Sequence, residues 1–209
     1  MKNATNLWAS TLGAIVGVAG LEHGIGEVLQ GNVAPDGLMI LSWPEAEFFR
    51  IMNGEPAMTI VPNLLVSGIL TILISLVFIV WSIRFVHRKH GGLVLLLLTI
   101  PWLLVGGGIF PPFLGIIVGL VGTRINAPLT WWRKHLPAGL QGFLGRLWLG
   151  SFIACVIAWL CLFPGINLFS YFLGVEDPSL MLVILSCALG SFLLTICTGL
   201  AHDSRNQGI

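Results

Sequence analysis

The chain has 209 residues, 56% hydrophobic and 9% charged, with a formal net charge of +1 and a mean hydropathy of +0.95. A water-soluble domain carries about 25% charged residues, so this composition excludes an ordinary soluble fold. The near-zero net charge, with neither a basic nor an acidic tail, excludes a nucleic-acid surface.

The expected class is an all-α, polytopic integral membrane bundle, because a helix satisfies its own backbone polar groups in lipid. About six membrane segments are expected as a single transmembrane domain, over 7–29, 57–86, 92–107, 111–124, 147–173 and 180–202. The first follows Lys2 and superficially has the layout of a signal peptide, but it reads as the first span. Its glycines Gly13, Gly17, Gly20, Gly24 and Gly31 fall on one helical stripe, which suits close approach of a neighbouring helix. Glu27 lies beside the stripe and His23 flanks it. Counted from Leu7, Glu22 and His23 sit ~22–24 Å along the helix, inside the expected hydrocarbon. An ionisable group at that depth is a functional-site candidate. His23 and Glu27, at i and i+4, can touch, with Arg50 an alternative partner for Glu27. Glu22 is expected on the opposite face.

Residues 31–56 carry Pro35, Pro44, Pro56, Trp43, Phe48 and Phe49 and read as an outer loop capping the bundle. In the second span Thr59, Asn63, Ser67, Thr71 and Ser75 recur at i+4, and Ser82 continues the row. Small polar residues in this pattern suit either helix packing or a polar groove. Asn63, at the depth of His23, is expected to share a pocket with it.

The stretch from Gly91 to Ile125 would be ~52 Å long as one helix, too long for one crossing. Gly106–Gly107–Gly108 and Pro111–Pro112 interrupt it. If the chain turns back there, Lys2, Arg84, Arg88, Lys89, Arg124, Arg133, Lys134, Arg146 and Arg205 all share one side, and only Arg50 lies on the other. The positive-inside rule favours that hairpin. It places both termini in the cytoplasm and the acidic residues Glu22, Glu27, Asp36, Glu45, Glu47, Glu55, Glu176 and Asp177 outside, leaving Asp203 inside, at what is expected to be the plasma membrane. Residues 127–146, with Trp131 and Trp132 beside Arg133 and Lys134, read as an interfacial inner segment. His87 and His90 stand among cations, which disfavours a metal. The four cysteines form no ligand or redox motif. No cofactor is indicated.

The sequence carries no catalytic signature. Three functional readings stand. One is binding or transport of a small solute or cation through an outward acidic vestibule into a pocket of Glu22, His23, Glu27, Glu55, Asn63 and Ser67. Another is a non-catalytic subunit meeting itself or other membrane proteins through its glycine faces, with lipids around it. The third is an intramembrane enzyme using His23 and Glu27 as an acid–base pair on a lipid-like substrate.

Overall fold

A computed structural model describes residues 3–52, 54–175 and 177–206. It is a helical protein whose four longest helical stretches, Ala4–Gln30, Leu64–Arg84, Ala138–Leu173 and Ser179–Asn206, are long and apolar enough to cross a membrane. The chain order is α1 (Ala4–Gln30), β1 (Met39–Leu41), a 3-10 turn (Glu47–Met52), β2 (Pro56–Met58), α2 (Leu64–Arg84), α3 (Gly91–Leu104), α4 (Phe110–Gly122), α5 (Thr130–His135), α6 (Ala138–Leu160), a π turn (Cys161–Gly165), α7 (Ile166–Leu173) and α8 (Pro178–Asn206). The expected all-α class therefore acquires a two-stranded antiparallel ribbon within 31–58, paired Met39 to Met58, Ile40 to Ala57 and Leu41 to Pro56.

The expected glycine stripe packs α1 directly on α2. A Cβ at Gly24 would lie 2.9 Å from the Gly68 carbonyl oxygen, and one at Gly20 would lie 2.8 Å from Ser75 Oγ; one at Gly13 would strike Ser82. The two helices run antiparallel, with Ser67, Thr71, Ser75 and Ser82 all buried. Absence of side chains on one helix and short polar ones on the other bring the backbones together, the usual route to helix association where lipid offers no hydrophobic drive. Gly31 departs from the expectation. Its φ is 86° and nothing approaches it, so it terminates α1 and takes no part in packing.

The turn at residues 105–109 folds α4 back on α3. Gly92 meets Gly119 and Thr123, and Gly119 meets Leu96, which fixes an antiparallel pair. Gly106 (φ 100°) and Gly108 (φ 78°) supply left-handed backbone at the tip, while Pro111 and Pro112 start α4. The glycine faces of α1 and α4 are thus used inside the chain. A partner would have to meet the protein elsewhere.

Two boundaries are corrected. The second long helix begins at Leu64 and not near residue 57, because Pro56–Met58 form β2, Thr59 bridges to Val105, and Asn63 caps the helix. Asn63 Oδ1 accepts from Val66 N at 3.1 Å. The segment 127–146 is not one separate element. Only α5 is a short separate helix, with none of its residues buried, and from Ala138 the chain is already in α6.

The start of α1 and the last turns of α8 meet at one end. Asp203 of α8 accepts from Ala4 N (2.8 Å), Thr5 N (2.8 Å) and Thr5 Oγ1 (2.6 Å). An anionic carboxylate on the first turn of α1 satisfies orphan donors and complements the helix dipole. Asn3 Nδ2 donates to Ile125 O, and Asn126 Nδ2 to His87 O, so the α2–α3 and α4–α5 connections lie at this same end. The ribbon and the hairpin tip close the opposite end. All four cysteines are free thiols.

Candidate functional site

The ribbon end of the bundle is built by backbone pairing that continues past β1 and β2. Ser42 N donates to Glu55 O (2.9 Å), which sets the two residues side by side. Thr59 N donates to Leu38 O, Ile60 N to Leu104 O (2.9 Å) and Gly106 N to Met58 O (2.8 Å). Residues 58–60 are therefore held between β1 and the α3–α4 tip. Gln30 Nε2 ties α1 to the same construction through the carbonyls of Leu41 and Ser42.

His23 is received by this scaffold. Its Nδ1 lies 2.9 Å from Ser42 Oγ and its Nε2 lies 3.2 Å from Glu55 Oε2. His23 is 6% exposed and Glu55 3%. Burial pushes the Glu55 carboxyl up from its ordinary 4.5 to about 7. The contacts fit two protonation states that differ by one proton: Nε2–H donating to an ionised Glu55 with Ser42 donating to Nδ1, or a protonated Glu55 donating to Nε2 with Nδ1–H donating to Ser42. The expected His23–Glu27 contact is replaced by this long-range pair, because both ring nitrogens point to the ribbon.

Glu27 is buried completely, at 0% exposure, and neither carboxyl oxygen has a hydrogen-bond partner among the described residues. The reason lies in its neighbours. Ser67 comes near it, but the Ser67 hydroxyl donates to Val105 O at 2.7 Å and Thr59 Oγ1 meets Ser67 Oγ at 2.7 Å. Thr71 Oγ1 donates to the same carbonyl at 2.6 Å. The hydroxyl row is thus turned toward the tip backbone and not toward the carboxyl. Arg50, the expected alternative partner, has its side chain outside the described residues.

The hairpin tip lies directly on these groups. A Cβ at Gly106 would fall on the Glu27 carboxyl, and one at Gly108 would fall on the His23 ring. Glycine here provides both the positive φ and the space for backbone to approach a side chain. No family model, curated protein or solved structure matches the chain.

Of the six expected binding residues, the structure gathers His23, Glu27, Glu55 and Ser67 around the ribbon and tip. Glu22 comes nearer than expected, since its carboxyl feels the charge of Glu55 and one of its oxygens is buried without a partner among the described residues. Asn63 does not join. It is half-exposed, caps α2 and donates to Asn32 Oδ1. Its capping role was legible as Asn before an apolar run, directly after Pro62. Glu45 and Glu47 lie at the surface, and Glu176 is outside the described residues. Ser42 is a site residue that the sequence did not single out; Gly106 and Gly108 stood out there as a helix break, and the structure lays their backbone against the Glu27 and His23 side chains. Among the described residues, no group of three His, Cys, Asp or Glu side chains is arranged to hold a metal ion.

Proposed function

We propose that this protein is a membrane-embedded binder or carrier of a proton or small cation, with Glu27 as the central group and His23, Glu55 and Glu22 around it. One observation carries the reading. A fully buried carboxyl whose two oxygens have no hydrogen-bond partner among the described residues is stable only when its charge is neutralised, by a proton or by a bound cation, since an uncompensated buried charge costs several kcal/mol. The His23–Glu55 pair next to it offers a second proton position, and Glu22 adds acidic character on the same side.

The basic residues at the end that carries α1's start and α8's end support a cytoplasmic side for it by the positive-inside rule, with the Glu55 end outside. On this reading the protein lies in the plasma membrane with the hairpin arms as short spans. The site then opens toward the exterior, and the Gly106–Gly108 tip is the element that must move to admit an ion. Ring and carboxyl are otherwise in direct contact with tip backbone.

The test is proton release from purified protein in weakly buffered detergent on adding Na⁺, K⁺ or Mg²⁺ salts. Wild type exchanges a proton for a cation or titrates a proton that Glu27→Gln lacks. If wild type and Glu27→Gln behave alike, the reading fails. The close glycine packing of α1 on α2 then favours a static structural subunit in its place.

A further inference from the structure

The end of the bundle opposite the ribbon is cationic and nearly without acids. Among the described residues its one carboxylate is Asp203, which is buried and already accepts three hydrogen bonds from the first turn of α1. Arg88 lies over the Phe85 ring, 4.8 Å from its centroid. Arg146 of α6 and Arg205 of α8 are both exposed, and neither is paired with a carboxylate among the described residues. Although they belong to different helices, they line one open recess of about 440 Å³, together with Ala138, Gly139, Gln141 and Gly142.

The seam beneath this recess is braced twice. Gln141 Nε2 donates to Ser204 Oγ at 2.6 Å. Asn206 Nδ2 donates to His202 Nε2 at 3.1 Å, so His202 Nδ1–H donates to Gly145 O at 3.2 Å. Each brace lies next in sequence to one of the arginines, which fixes the spacing of the two helices where the cations emerge. Arg146 Nε donates to Gly142 O at 3.2 Å, laying the side chain along its own helix with the terminal nitrogens toward the opening. A Cβ at Gly139 or Gly142 would meet nothing, so the floor is clear.

The recess stands at the rim of the membrane-length helices. Asp203 binds Ala4 and Thr5 while its neighbour His202 binds Gly145, so Arg146 is level with the first turn of α1. Residues 138–145 of α6 extend ~12 Å beyond that level. In the other direction Leu149, Ile153 and Ile157 lie on the same helical face as Arg146, all of them exposed. Two unpaired guanidinia thus cap an outward apolar track.

We propose that Arg146 and Arg205 hold the phosphate of an anionic phospholipid, with an acyl chain along Leu149, Ile153 and Ile157. The guanidinium fork matches phosphate oxygens, and basic pockets between membrane helices suit lipid headgroups. A zwitterionic lipid is disfavoured, because its headgroup cation meets two guanidinia with no carboxylate to balance it. The site lies at the opposite end from Glu27 and needs no proton or cation there.

The experiment is native mass spectrometry of the full chain released from nanodiscs of phosphatidylcholine and phosphatidylglycerol in equal parts. Wild type is expected to retain phosphatidylglycerol in preference to phosphatidylcholine. Arg146→Gln and Arg205→Gln each lower that preference about tenfold, the worth of one charge-assisted hydrogen bond. Arg84→Gln, which removes an exposed cation of α2 at the same end, leaves it unchanged. All three side chains are exposed, so melting in pure phosphatidylcholine stays at the wild-type value and separates lost binding from lost fold. Equal retention of the two lipids by wild type overturns the proposal, as does an Arg84→Gln loss as large as that of Arg146→Gln. Displacement of the retained lipid by millimolar inorganic phosphate also overturns it, by assigning the recess to the free ion.

Discussion

Replacing Glu55 by Gln removes the one carboxyl that connects the ribbon to His23, and the structure gives the size and sign of the effect. Burial raises this group from 4.5 to about 7, so between those values the folded protein holds a proton that the unfolded chain has lost. Stability therefore falls as pH rises through that window, and the contribution is fully present only below about 4.5. At ~1.4 kcal/mol per pH unit the whole effect amounts to roughly 3 kcal/mol. The assay is chemical or thermal unfolding of wild type and Glu55→Gln in the same nanodisc at a series of pH values. The difference between the two curves reports Glu55 together with Glu22 and His23, the neighbours that feel its charge, and removes the groups that do not touch it. Wild type should lose stability relative to Glu55→Gln from about pH 4.5 to about pH 7, and the gap should level off above that. A gap that is flat with pH, or one that widens in favour of wild type as pH rises, would refute the burial of Glu55 against His23.

Three further outcomes follow from the packing. Gly106→Ala places a Cβ on the Glu27 carboxyl at a φ of 100° and should cost about 1–3 kcal/mol in unfolding experiments; a neutral result would mean the tip does not lie on Glu27. Asp203→Ala strips three acceptor contacts from the first turn of α1 and should lower unfolding stability by about 3 kcal/mol, leaving the Glu55 pH dependence in place. Asn63→Ala should cost about 1 kcal/mol as a lost helix cap and leave proton release at the Glu27 site unchanged; a change there would return Asn63 to the pocket.

The large features were legible because they follow from composition and local chemistry. GGGIFPP combines glycines that permit left-handed backbone with prolines that start a helix, so a turn-back was readable there before any contact was known. The glycine stripe of α1 and the Ser/Thr row of α2 were readable too, but not that each is the other's partner, which is a tertiary fact. His23 and Glu27 stood out by depth. Their partners did not, because helical spacing speaks only of neighbours at i+3 and i+4, whereas Ser42 and Glu55 arrive through a ribbon formed by a segment rich in proline and aromatics. That ribbon was hidden by its length: three-residue strands carry almost no periodicity. Residues 138–146 were read as interfacial because Gln141, Arg146 and three glycines dilute the apolar pattern, although the same helix runs on unbroken into the membrane-length stretch. The π turn at Pro164 likewise falls within a run that hydropathy alone reads as continuous.

The central claim is that Glu27 stays buried with its charge neutralised, and infrared difference spectroscopy tests it most directly. Protonated carboxyls absorb in a region free of ionised ones, so titration with alkali or with cation shows when Glu27 gives up its proton. Wild type at neutral pH should show a protonated-carboxyl band, or a carboxylate band that shifts on cation removal, and Glu27→Gln should lack it. The same spectrum from wild type and Glu27→Gln, with no carboxyl band that responds to pH or cation, would contradict the account.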